Sequence, residues 1–227
     1  MTPFSHAFTK LSAAGSEKTV GRLSLYRRLL ERLLETGKER VFSHELAKLA
    51  GVTAAQVRRD LMGLNVFGNP ALGYNVRELI REIGNQLDAD APEGIALIGV
   101  GHLGRAVLAY FQSRRPNLEV RAAFDVDPTK VGRVIQGCHS YPLEELESVV
   151  RDQAITLAII AAPASAAQDV ANRLVRAGVH GILNFAPISL RVPEHVRVDD
   201  LDLTMALEKV AYFARKGLDG KAVGEGA

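Results

Sequence analysis

A Gly-x-Gly-x-x-Gly pattern occupies Gly99, Val100, Gly101, His102, Leu103 and Gly104, directly after the apolar run 95–98 and at the start of a helical rhythm. In that setting Gly99 permits a tight turn and Gly101 lets backbone approach a pyrophosphate, while Gly104 lets the helix pack against its strand. The unpaired N–H groups at the helix start then face phosphate. Asp125 ends the next apolar run, 120–124, 21 residues after Gly104. A carboxylate there accepts hydrogen bonds from ribose hydroxyls and repels a 2′-phosphate, which selects NAD(H) over NADP(H). Asp127 reads as the cap of the turn before Pro128. Two further strand ends, Ala162-Pro163 and Asn184-Phe185-Ala186-Pro187, belong at the same carboxyl edge and are expected to wall a nicotinamide pocket,.

A second constellation lies upstream. Ser43 is placed to cap a short helix carrying Leu46, Ala47 and Leu49, closed by Gly51,. Thr53 and Gln56 have capping-box spacing at the start of the next,. Two helices joined by so tight a turn read as a helix-turn-helix. Val57, Leu61 and Leu64 turn the second helix inward, which leaves Gln56, Arg58 and Arg59 outward. Those side chain types read base edges in a major groove, with Thr53 and Lys48 nearer the phosphates. The plainer alternative is a solvated helix face. Residues 65–67, the turn Gly68-Asn69-Pro70 and residues 72–74 read as a two-stranded wing,.

The elements that hold these residues divide the 227-residue chain, 47% hydrophobic and 24% charged, into two small domains,. Residues 1–19 read as a loose arm and 20–87 as a winged-helix domain. An acidic, proline-containing linker covers 88–93. Runs 95–98, 120–124, 155–161 and 181–185 are apolar on both faces, as in a parallel sheet, and alternate with helices over 102–113, 143–151 and 164–177,. This is an α/β Rossmann pattern over 94–200. Residues 201–217 form a last helix with Leu203, Met205, Leu207, Val210 and Phe213, which must cover something; a partner subunit is one candidate. Residues 218–227 read as a tail.

Net charge is only +2, but 20–87 hold 11 Lys/Arg against 7 Asp/Glu, whereas 94–217 hold 14 against 13. The positive excess sits where a phosphate-facing surface is needed. The lone Cys138 excludes an intrachain disulfide and a cysteine zinc site and fits a reducing compartment,. No run approaches the roughly 20 apolar residues of a membrane span, and the start has no apolar leader core, so the cytoplasm is expected. His102 in the glycine loop is suited to phosphate or water; His139, His180 and His195 are isolated, and there is no metal-ligand cluster. With little chain left for a substrate site, an enzyme is not expected.

The chain resembles the Rex family of bacterial redox-sensing repressors from Arg22 to Lys216. The resemblance is carried by Arg22-Leu-Ser-Leu-Tyr26-Arg-Arg28, Gln56-Val-Arg-Arg-Asp60-Leu, Gly73-Tyr74-Asn75-Val76, the glycine pattern, Phe124-Asp-Val-Asp127, Gly181-Ile-Leu-Asn-Phe-Ala-Pro187 and Asp202 before the last helix. It implies a homodimer with domain-swapped C-terminal helices, bound to palindromic, A/T-rich operator DNA when NADH is scarce. NADH releases it and NAD+ competes weakly. It further implies Tyr110 near the nicotinamide and an inter-subunit relay of Arg28 with Asp202. The chain departs from the family pattern at Asn69-Pro70-Ala71, where basic residues and a glycine are usual, and at Leu203, often aromatic. A different class of reading is an NAD-dependent oxidoreductase or a CoA-synthetase-like fragment with the N-terminal helices as a mere oligomerisation module, but such a module has no need of exposed Arg58 and Arg59. A regulator binding some other nucleotide has no need of Asp125.

Overall fold

The computed structural model describes residues 16–111 and 117–222, and the chain divides between Asp90 and Ala91 into two compact units.

In the first unit the leucine rhythm becomes α1 (Glu17–Glu35), which buries Leu23, Tyr26 and Leu30. It shares one core with Leu46, Val57 and Leu61 of α2 (Ser43–Ala50) and α3 (Ala54–Met62) and with Val76, Leu79 and Ile83 of α4 (Val76–Leu87). Burying each such side chain is worth about 1.5–3 kcal/mol. Thr53 caps α3, its Oγ1 accepting the Gln56 N–H at 3.1 Å, and Asn75 caps α4 by accepting that of Glu78. The start of α2 differs from expectation. Ser43 lies inside the first turn, and the Glu45 carboxylate reaches back to accept the Phe42 N–H at 2.8 Å.

The wing also differs. Residues 65–67 form no strand, because Asn65 sits at φ 57° and ends the turn that follows α3. Tyr74 pairs instead with Val41, so β1 (Arg40–Val41) and β2 (Tyr74–Asn75) make the small antiparallel sheet. What remains of the wing is a loop closed by mutual backbone bonds between Asn69 and Gly73. The Asn69 side chain accepts the N–H groups of Ala71 and Leu72, bridging the position where Pro70 has none to give,.

In the second unit β3 (Glu93–Ile98) begins within the span read as linker and occupies the middle of a seven-stranded sheet of order β5-β6-β4-β3-β7-β8-β9, parallel except for β5. β4 (Leu118–Asp125) and β6 (Cys138–Pro142) lie on one side; β7 (Ile155–Ile160), β8 (Gly181–Asn184) and β9 (Arg197–Asp200) lie on the other. Apolar clusters cover both faces, one under α6 (Leu146–Asp152) and α7 (Ala164–Ala177), the other under α5 (His102–Phe111). The order in which strands are added reverses between β3 and β7, and in such sheets ligands collect outside the carboxyl ends at that point,.

Three strands exceed the four expected. β5 (Arg133–Ile135) and β6 join through Gln136 and Gly137, both at positive φ as a two-residue hairpin requires, and β9 is a polar edge,. Residues 143–145 are a 3₁₀ turn, so α6 starts later than 143. α8 (Leu203–Ala222) starts after 201, because Asp202 caps it by accepting the Met205 N–H at 2.9 Å, and it continues into the span read as a tail. α1 likewise begins within the span read as an arm. Residues 1–15 of that arm, 112–113 of the expected α5 and 223–227 of the tail lie outside the described residues. Among the described residues no helix is long and apolar enough to cross a membrane.

Candidate functional site

A cavity of about 380 Å³ opens at the carboxyl ends of β3, β4 and β7. Its lining brings together Gly99, Gly101, Asp125 and Pro163 from the residues expected there, and adds Lys130. Gly99 sits at φ +95°, where a Cβ would also stand 2.6 Å from the Ala161 carbonyl oxygen. At Gly104 a Cβ would collide with the Gly99 carbonyl oxygen, so α5 lies against β3 only because none is there. Gly101 is different: a Cβ would meet nothing within 4 Å, leaving its open side to the cavity. The glycine loop, the start of α5 and an acidic strand end therefore fit a dinucleotide's pyrophosphate and ribose.

Asp125 is 9% exposed. Its Oδ2 accepts the Val100 N–H at 2.7 Å and its Oδ1 that of Asp127 at 2.9 Å. A carboxylate has about four acceptor positions, so capacity for ribose hydroxyls remains. Lys130 Nζ lies 3.4 Å from Asp125 and 3.3 Å from Asp127. Asp127 holds its own turn, accepting the Thr129 hydroxyl and N–H, bonds that keep its carboxyl below the usual range.

On the first unit Lys48, Thr53, Arg58 and Arg59 are exposed around α2 and α3. Gln56 is half-buried, and its Nε2 donates to Asp60 at 2.8 Å. Asp60, 6% exposed, also accepts both Arg22 Nε and Nη2 at 2.7 Å and the Tyr26 hydroxyl at 3.0 Å. Burial pushes this carboxyl up, but the bonds from Arg22, Gln56 and Tyr26 outweigh it and hold it below the ordinary 3.8,. Burial raises the Tyr26 phenol far above its usual value. Outward helical position alone did not reveal that Gln56 is engaged; the signal was a glutamine four residues before an aspartate on a face whose apolar neighbours point inward.

A family described as a CoA binding domain matches residues 90–188, and one described as a putative DNA-binding protein N-terminus matches 16–61. The redox-sensing transcriptional repressor Rex of Anoxybacillus flavithermus is 43% identical over 199 residues, covering 88% of this chain and 93% of that protein. This chain belongs to the Rex family. Among solved structures, the Rex-family repressor RSP in complex with β-NAD+ and operator DNA is 35% identical, with a TM-score of 0.82 over 94% of this chain and 99% of that one. RSP in complex with β-NADH is 34% identical, with a TM-score of 0.81 over 92% and 98%. Rex proteins are named as repressors rather than enzymes.

The other residues expected from the Rex pattern are placed as follows. Val100 is buried, whereas His102 and Leu103 are exposed at the start of α5. Asn184 is 0% exposed, and its amide is spent within the protein: Nδ2 donates to the Ile188 carbonyl and to Asp200, both at 2.8 Å, and Oδ1 accepts the Ala186 N–H at 3.0 Å. It braces the loop after β8 instead of presenting a polar group. Phe185 packs against the α5-side cluster, Ala186 is buried and Pro187 exposed; none of the three lines the cavity. Tyr110 is exposed on α5, its ring edge-to-face with Phe111. Arg28 is exposed on α1, and Asp202 commits one oxygen to the α8 cap.

Proposed function

We propose that the chain is a cytoplasmic, homodimeric repressor that holds a palindromic, A/T-rich operator when NADH is scarce and leaves it when NADH binds. The observation that carries this reading is the presence, in one chain of this family, of a glycine-lined cavity closed by Asp125 and of a capped helix pair presenting Arg58 and Arg59. In the same reading 20–87 bind DNA, 94–200 bind NAD(H) and α8 joins the subunits. Gly99, Gly101 and the start of α5, with Val100, His102 and Leu103, hold the pyrophosphate, and Asp125 holds the ribose. NADH and NAD+ differ in the charge of one ring. Apolar surface from Pro163 at the cavity, and beyond its lining from Tyr110 of α5 and from Phe185, Ala186 and Pro187 on the loop braced by Asn184, accepts the neutral ring and penalises the cation. Only such a difference lets a protein report a ratio, because equal affinities shift no equilibrium.

Leu203, Leu207, Val210 and Phe213 recur along one face of α8 and are each more than half exposed. A stripe of that kind is covered in a stable protein, which supports its exchange with a second copy. Arg28 pairing with Asp202 of the other subunit then couples α1 to the cofactor end. Thr53 and Lys48 serve phosphates, while Arg58 and Arg59, with Gln56 beside them, face the major groove.

The test is an electrophoretic shift on a palindromic A/T-rich duplex with NADH and NAD+ titrated separately. Release by NADH at concentrations where NAD+ leaves the complex intact is expected; equal retention with and without NADH sinks the reading. Coupling is reciprocal, so operator must weaken NADH binding by the same factor.

A further inference from the structure

The two exposed arginines of α3 are not left to find their own directions. Arg58 Nη1 donates to Ser43 Oγ of α2 at 3.1 Å, and Arg59 Nη1 donates to Gln56 Oε1 at 3.4 Å. Gln56 in turn is fixed from behind, because its Nε2 is taken by Asp60. Asp60 is gripped by the Arg22 fork and the Tyr26 hydroxyl, both from α1, with Tyr26 fully buried. The result is a chain of donors and acceptors running from α1 through Asp60 and Gln56 to the guanidinium of Arg59.

A glutamine reads adenine by offering one acceptor and one donor together to N6 and N7. Here one N–H is taken by a buried carboxylate that would lose a partner if the amide turned outward, and one lone pair of the oxygen is taken by Arg59, so the amide cannot swing its paired edge towards a base without breaking both bonds,. Leaving a buried charged acceptor under-satisfied carries a substantial cost. Arg59, by contrast, keeps most of its five N–H donors for a ligand after giving one to Gln56,.

From this geometry we infer that Gln56 is a positioning residue for operator recognition: with Asp60 behind it, it aims Arg59 and reads no base itself. The inference rests on the reading of α3 as the DNA-facing helix. Substituting the half-buried Gln56 takes one donor from Asp60 and leaves those of Arg22 and Tyr26 in place.

The test is a double-mutant cycle in the full chain with Gln56→Leu, Arg59→Ala and both together. Affinities are measured for an operator duplex and for a scrambled duplex of equal length at one salt concentration, with thermal midpoints recorded alongside. Expected is a loss of about tenfold in operator affinity for Gln56→Leu, the size of a weakened base contact. Scrambled-duplex affinity stays unchanged, the thermal midpoint falls only by the one bond lost at Asp60, and the double variant binds no worse than Arg59→Ala alone,. Losses that multiply overturn the inference, because Gln56 then contacts DNA on its own. An unaffected Gln56→Leu beside an impaired Arg59→Ala overturns it too, since Arg59 then needs no aiming. If Arg59→Ala itself leaves operator affinity intact, the DNA-facing reading of α3 fails and takes the inference with it.

Discussion

The cavity of the second unit and the arginine-bearing face of the first are built in opposite ways. The cavity is defined by side chains that are missing: a Cβ at Gly99 or Gly104 would strike backbone, and one at Gly101 would project into the space left open. The α3 face is defined by side chains that are paired, with one buried carboxylate taking four donors from α1 and α3. A site made of absences tolerates no addition. A site made of pairings tolerates no removal.

The contrast is sharpest at Gly104. Gly104→Ala forces α5 off β3, so a loss of about 3 kcal/mol or more in the second unit is expected, with NADH binding abolished. Gly101→Ala should leave the thermal midpoint alone and lower NADH affinity only. If both variants melt at the wild-type midpoint, the close approach is not what holds the loop.

Next in size is Asp60→Ala, which strands the Arg22 guanidinium and costs about 3 kcal/mol in urea unfolding of the first unit. Its pH dependence has a fixed sign. The folded Asp60 carboxyl lies below its ordinary 3.8, so the stability it contributes is complete above that value and is lost as pH falls through the folded one,. Asp60→Asn should flatten that acid limb; an unchanged limb assigns it to other carboxylates.

Smaller again, Asp125→Ala removes charge-assisted acceptors worth about 1.5–3 kcal/mol and should cost NADH at least about tenfold in affinity by calorimetry. The preference over NADPH should shrink with it. An undiminished preference would place the discrimination elsewhere, with Lys130 the neighbour to inspect. The smallest effect belongs to Cys138. Burial pushes this thiol up to about 11, so at pH 7.5 it is not a thiolate, and iodoacetamide should label it only after unfolding,.

The same contrast explains what the sequence disclosed. Gly99, Gly101, Gly104 and the runs around β3, β4, β7 and β8 are local signals, because a buried parallel strand and a phosphate loop each carry their requirement within a few residues. Thr53 disclosed its cap for the same reason. The Asp60 network was invisible, since Arg22 and Asp60 are 38 positions apart and neither looks unusual alone. Tyr74 was assigned to the wrong partner because Val41, its true one, lies across two helices in sequence. β5 and β9 escaped because edge strands such as Arg197–Asp200 alternate with solvent and lack a continuous apolar run. Asn184 was read as a pocket wall, yet its amide faces inward to Ile188 and Asp200.

The loop from Asn69 to Gly73 has an electrolyte consequence. Between Arg59 and Arg77 the chain carries no lysine or arginine, and Asn69 ties the tip down on its own backbone. Each phosphate neutralised by a cationic side chain contributes about 0.9 to the slope of log affinity against log salt. A tip with no cation displaces no counterions, so this loop adds nothing to the ionic-strength sensitivity of operator binding, which should be shallower than for a relative with a basic wing.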